Sequence, residues 1–358
     1  MPGYRLDPYR LDPAFDALGA RVGEGRVGAA VLAVTTSGGT VRAAPFGATG
    51  DRPTRVDDRF WIASITKPIV ATAVMQLAEA GRISLAEPLR TYLPELAEDR
   101  ADVTARHVLT HTSGIPDRWG EDLLDRPTRS DLVELAFTAP LEFGPGSRYA
   151  YCSLSFYVLA ELLARMDGVA FEESLRRRVL APLGMDDTSF SAFEPGVDRW
   201  VSVDGAPGQT GDPRVRLAAV KYLASIAMPG GGLWSTAADL ERFARAYLRG
   251  GTLDGARILG PAFIDLMGRE QTQGILEPSP DGRQPPRDPA YAFGWGKPFR
   301  EGDIPCSERA VEHGGATGTR IFVDPETDLA VVVLANRWGD REASRSVIAA
   351  VHGALVPA

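Results

Sequence analysis

The chain has 358 residues, 44% of them hydrophobic and 24% charged, with a mean hydropathy of −0.11. That is the composition of an ordinary globular protein, long enough for a large core. The 47 acidic against 39 basic side chains give a net charge of −8, which argues against nucleic acid or an anionic membrane as partner. No apolar run reaches the ~18 residues of a membrane span. The start, Met1-Pro2-Gly3-Tyr4-Arg5, lacks a basic-then-apolar leader, so a cytoplasmic location is expected. Cys152 and Cys306 are then expected to be free thiols.

Taken in order, the chain opens with a tandem pentapeptide, Tyr4–Pro8 and Tyr9–Pro13, two copies being too few for a solenoid. Residues 12–22 carry Phe15, Leu18 and Val22 on one helical stripe. Gly23-Glu24-Gly25-Arg26-Val27-Gly28 has the form G-x-G-x-x-G, but a β-rich run follows it instead of a helix, which excludes a dinucleotide loop. That run, 29–34, is predicted to turn at Ser37-Gly38-Gly39 into a strand over 41–46. A short strand, 59–62, leads to Ser64, and a helix is predicted from Ile65 to Ala80 with Gly81 as its C-cap.

Short helices and loops are predicted over 82–190, with helices at 105–110, 130–138, 154–166 and 170–180. Residues 195–232 are read as long loops. A helix starts at Ser235, and 274–289, with five prolines, is a candidate lid. Strands are predicted at 291–299, 310–313, 319–323 and 329–334, then a closing helix at 340–354. Strands at both ends around a helical middle imply an α/β (α+β) fold. A central antiparallel sheet from N- and C-terminal strands is flanked by helices, and a mainly helical lobe is inserted. The expected division is 1–62 with 285–358 as the sheet lobe and 63–284 as the helical lobe, the active site lying between them.

Ser64-Ile65-Thr66-Lys67 places a hydroxyl and an amine three residues apart, hence on one helical face. The helix start adds free N–H groups and a positive dipole end. A nucleophile, a base and an oxyanion site thus fall within about one turn. Alone, the pattern is better explained by a capping serine and a solvated lysine, because it is short and common. His107 and His111 have i,i+4 spacing, but Val108 stands where a zincin needs glutamate, so a structural role is expected. No Gly-x-Ser-x-Gly elbow is present.

Five segments in order decide the reading. They are Phe60-Trp61-Ile62-Ala63 before Ser64-x-x-Lys67; Leu109-Thr110-His111-Thr112-Ser113-Gly114; Pro145-Gly146 with Tyr151-Cys152-Ser153; Gly232-Leu233-Trp234-Ser235-Thr236 with Asp239; and His313-Gly314-Gly315. Over about 27–335 the chain resembles the serine β-lactamase and penicillin-binding-protein superfamily, in its class C β-lactamase-related branch that includes family VIII carboxylesterases. The resemblance implies Ser64, Lys67 and Tyr151 as catalytic residues, with Ser153, His313, Gly314, Gly315 and Ala316 binding substrate. Tyr151 is preferred to Tyr149 because Tyr-x-Ser ends at the following helix, and Cys152 beside it is read as a buried thiol. Ser153 replaces the usual asparagine, and His313-Gly314 replaces lysine-threonine.

The expected activity is therefore a serine hydrolase working through acyl-Ser64, a carboxylesterase on small or medium acyl esters. The alternatives are an amide hydrolase (D-aminopeptidase, D-alanyl-D-alanine carboxypeptidase or β-lactamase), an acyltransferase, or a non-catalytic binding protein. A small-molecule ester or amide is the only partner implied, and no metal or organic cofactor is called for.

Overall fold

A computed structural model describes residues 3–117, 127–193, 199–205, 213–279, 283–298, 304–340 and 342–358. A six-stranded, wholly antiparallel sheet forms the base. Its strands are β2 (Ala29–Thr36), β3 (Gly39–Thr49), β4 (Arg52–Pro53), β9 (Val311–Gly314), β10 (Arg320–Asp324) and β11 (Leu329–Ala335). The order is β4-β3-β2-β11-β10-β9, so strands from the two ends of the chain meet at the β2–β11 pair.

β2 shows how the sheet is covered. Its residues alternate between faces, as a strand's must. Ala30, Leu32 and Val34 pack with Leu18 of α1 (Asp12–Gly23) and with Val347 and Ile348 of the closing helix, Glu342–His352. Ala29, Val31 and Ala33 face the opposite way, toward Leu240, Phe243 and Ala244 of the helix Ala237–Leu248. Both faces are buried, which is why the strand reads as an unbroken apolar run instead of an alternating one.

The nucleophile segment joins this sheet to the helices. Strand β5 (Phe60–Trp61) pairs with β6 (Trp234–Ser235). The chain then makes a 3₁₀ turn over Ala63–Ile65 and enters α2, Thr66–Glu79, whose residues Thr66 to Met75 are all buried. Around α2 lie the helices Ala105–Leu109, capped by Thr104, Arg129–Thr138, and Phe156–Asp167. No described helix is long and apolar enough to cross a membrane.

Two expectations need correction. Residues 195–232 are not loop throughout, since Pro213–Ile226 forms a 14-residue helix. Its first-turn proline suits a helix start, and Leu217-Ala218-Ala219 are good helix formers; the flanking glycines and prolines obscured them. Nor is 291–298 a regular strand. The Ala292 N–H donates to the Trp295 carbonyl at 2.7 Å, closing a tight turn through Gly294 at φ +72°, and only Tyr291 and Gly296 make isolated bridges. Residues 118–126, 195–198, 206–212, 280–282, Phe299 and Arg341, within the predicted region of short helices and loops, the long loops, the lid, the strand and the closing helix, lie outside the described residues.

Candidate active site

Ser64 sits in the 3₁₀ turn at the head of α2. The residue before it, Ala63, has φ +46°, a left-handed conformation that costs a non-glycine residue about 1–3 kcal/mol. The surroundings hold it there. Thr66 Oγ1 donates to the Ala63 carbonyl at 2.7 Å. Thr317 Oγ1 and Thr319 Oγ1 donate to the Trp61 and Ile62 carbonyls at 2.8 and 3.2 Å. Behind them the Ile62 N–H donates to the Leu233 carbonyl. The approach of the 315–319 loop is so close that a Cβ at Gly315 would stand 2.1 Å from Thr319 Oγ1 and 2.6 Å from the Ile62 carbonyl oxygen. The glycine after His313-Gly314 is thereby explained.

Lys67 is fully buried one turn along. Its Nζ lies 3.3 Å from Ser64 Oγ, 3.0 Å from Ser153 Oγ and 2.6 Å from the Gly230 carbonyl oxygen. The same Nζ stands 4.6 Å from the centroid of the Tyr151 ring. Three distant segments therefore converge on one amine: α2, the loop carrying Tyr151 and Ser153, and the Gly230-Gly231-Gly232 run. Of the two tyrosines, Tyr151 meets Lys67 and is 36% exposed toward the cleft, whereas Tyr149 is buried. Burial, aided by the adjacent Tyr151, pushes the Tyr149 hydroxyl well above the usual phenol range. Burial likewise raises the Cys152 thiol to about 12, which suits an inert thiol.

His313 is the penultimate residue of β9 and is buried at the cleft wall. Its Nδ1 lies 3.0 Å from the Gly314 carbonyl oxygen, and Tyr291 Oη lies 2.9 Å from its Nε2. A carbonyl only accepts, so Nδ1 carries the hydrogen, and in the neutral ring Nε2 accepts from Tyr291. Both ring nitrogens are thus engaged by the protein. Ser64, Tyr151, Ser153, His313, Gly314, Gly315 and Ala316 line a cleft of about 620 Å³. Its walls also include Trp61, Met228 and Trp338, and its rim Glu277, Arg287 and Pro289 of the proline-rich segment. The Ala316 N–H donates to no other described residue.

Gly230, Tyr291, Asp117 and the two threonines of the 315–319 loop were not singled out from sequence. The Pro229-Gly-Gly-Gly run was a signal for close backbone approach, since a Cβ at Gly230 would fall 2.7 Å from the Ser153 carbonyl oxygen. The others carry no local signal.

An antiparallel sheet with a helical region beside it, and a serine–lysine pair at the head of the helix between them, define the class of serine β-lactamases and penicillin-binding proteins. The Beta-lactamase family profile matches residues 13–354, and the chain belongs to that family. Esterase EstB of Burkholderia gladioli is 32% identical over 324 residues, covering 80% of this chain and 79% of that protein. Penicillin-binding protein 4 of Amycolatopsis lactamdurans is 32% identical over 230 residues, covering 62% and 59%. The crystal structure of a family VIII carboxylesterase superposes with a TM-score of 0.79 at 22% identity, over 96% of this chain and 97% of the other, which speaks to the fold.

Proposed function

We infer that the protein is a carboxylesterase acting on small or medium acyl esters through an acyl-Ser64 intermediate. The observation that carries this is the 3.3 Å approach of Lys67 Nζ to Ser64 Oγ at the floor of the cleft. A serine hydroxyl needs a base to take its proton, and Lys67 with Tyr151 supplies one. The two act as a coupled pair, so neither is assigned the proton alone. Attack on the ester carbonyl gives a tetrahedral oxyanion, for which the N–H groups of Ser64 and Ala316 serve as donors. Each such donor is worth about 3–4 kcal/mol to the transition state. The intermediate collapses with the C–O bond broken, and the leaving alkoxide takes the proton from the Lys67–Tyr151 pair. Water, deprotonated by the same pair, then releases the acid and restores Ser64.

Ester is favoured over amide or β-lactam because the third-motif strand presents His313, with both nitrogens engaged, where the family commonly has lysine. No lysine amine stands at that position for a substrate carboxylate. The similarity to Esterase EstB supports the same choice. Penicillin-binding protein 4 keeps the amide-hydrolase reading as the second, and an acyltransferase would use the same acyl-enzyme.

In this reading 1–62 with 285–358 form the sheet lobe and 63–284 the helical lobe. The helix Ala237–Leu248, packed on the sheet, is the seam between them. The free thiols Cys152 and Cys306 support a cytoplasmic setting.

The test is hydrolysis of p-nitrophenyl butyrate by wild type and by Ser64→Ala, with a fluorophosphonate adduct located by mass spectrometry. Turnover lost in the variant and an adduct on Ser64 are expected. Nitrocefin or a D-alanyl-D-alanine peptide turned over at far higher kcat/KM than the ester would overturn the ester assignment.

A further inference from the structure

Tyr151 and Ser153 sit on an irregular loop, yet each must be held to a fraction of an ångström over Lys67. The backbone of that loop is anchored almost entirely by one other segment. The His111 carbonyl accepts from the Ala150 N–H at 2.9 Å. His111 Nδ1 accepts from the Cys152 N–H at 3.1 Å. Asp117 Oδ1 accepts from the N–H groups of Ser153 and Leu154 at 3.1 and 3.2 Å. Upstream, the Thr112 carbonyl accepts from the Gly146 N–H at 2.7 Å. Four of the five amides from 150 to 154 are thus taken by residues 111 and 117.

The side chain of His111 does a second thing. Its ring lies 4.3 Å from the Tyr151 ring, centroid to centroid, and 4.8 Å from that of Tyr291, whose hydroxyl bonds His313. The residue is fully buried and its backbone is left-handed, φ +57°. Its Nε2 has no hydrogen-bond partner among the described residues. A histidine kept only for packing would not leave a buried donor unsatisfied, because an apolar ring fills the same space without that cost. What an apolar ring lacks is the Nδ1 acceptor for Cys152. Burial, with Lys67 and His313 nearby, holds the imidazole well below its ordinary pKa, which favours the neutral ring whose Nδ1 accepts from Cys152.

We propose that His111 and Asp117 are positioning residues for catalysis: together they hold the 150–154 backbone so that Tyr151 and Ser153 face Lys67. The inference rests on the Ser64–Lys67–Tyr151 reading above. It assigns a task to the leucine-threonine-histidine-threonine-serine-glycine segment, which touches no reacting atom.

The experiment uses the full chain and p-nitrophenyl butyrate, with active sites titrated by fluorophosphonate. His111→Phe keeps the ring and loses the acceptor, whereas His111→Asn offers Oδ1 near the Nδ1 position. Asp117→Ala and Asp117→Asn make the same contrast at the other anchor. Expected is a kcat per titrated site lowered roughly 10- to 100-fold in His111→Phe and roughly 10-fold in Asp117→Ala, with KM changed less than about threefold. The Asn variants recover most of the loss. If His111→Phe does not fold, the Asp117 pair decides. A kcat per site within twofold of wild type in Asp117→Ala and any folded His111→Phe, or Asn variants as impaired as the others, would overturn the proposal while Ser64 still labels. Wild type that forms no adduct at Ser64 would instead overturn the catalytic reading on which it rests.

Discussion

The Ser153 hydroxyl lies 3.0 Å from Lys67 Nζ, inside the 3.3 Å that separates Nζ from Ser64 Oγ. The residue that departs from the family's common asparagine is therefore a direct partner of the amine. Ser153→Ala removes that acceptor and leaves Lys67 a freer rotor. A lost hydrogen bond of about 1–1.5 kcal/mol predicts a kcat/KM for p-nitrophenyl butyrate lowered roughly tenfold. Ser153→Asn, which retains an acceptor, should lose less. Steady-state kinetics on the two variants checks both statements.

Gly315→Ala tests the close approach of the 315–319 loop to the nucleophile turn. A Cβ there meets Thr319 Oγ1 at 2.1 Å and the Ile62 carbonyl oxygen at 2.6 Å, so loop and turn must part. Overpacking of this kind costs roughly 1–3 kcal/mol. Because the displaced atoms precede Ser64 directly, activity should fall further than stability. A lowered Tm measured together with loss of fluorophosphonate labelling would show it.

Trp338 and Trp61 face each other across the cleft wall with ring centroids 5.7 Å apart. Trp338→Ala enlarges this apolar end. Each further methylene buried there is worth about 0.8 kcal/mol. The preferred p-nitrophenyl ester should move to a longer acyl chain by two or more carbons. An unchanged chain-length profile would mean that this wall does not meet the acyl group.

Glu241 is buried on the helix that seals the inner sheet face, and burial lifts its carboxyl to about 7 from an ordinary 4.5. Thr40 donates to Oε2, but Oε1 has no hydrogen-bond partner among the described residues. In this window the folded state binds more protons than the unfolded one, so stability falls as pH rises from about 4.5 through 7. Glu241→Gln removes the ionisation. It should stabilise the protein at pH 8 by on the order of 2 kcal/mol and change little at pH 4.5. Urea titrations at the two pH values give the comparison, and equal effects at both would contradict it.

The parts legible from residues alone are those that depend on neighbours in the chain. Ser64 and Lys67 meet because the 3₁₀ turn holding Ser64 runs straight into the first turn of α2, and periodicity announces that helix. The hairpin of β2 and β3 follows from Ser37-Gly38-Gly39. The net charge of −8 argued against a nucleic-acid partner, and five short segments in order pointed to the family.

What only the folded chain decided are contacts between segments far apart in sequence. The tandem pentapeptide shows why. Identical residues give a strand at Tyr4–Leu6, paired with Leu355–Pro357, and a 3₁₀ turn leading into α1 in the second copy. Local propensity was the same in both; the strand partner was available to one. The site follows the same rule. Gly230 on Lys67, Tyr291 on His313, and His111 and Asp117 on the tyrosine loop are each set by packing between segments 22 to 163 residues apart. No pattern within a single segment encodes such a pairing, because its energy exists only once the second segment has arrived.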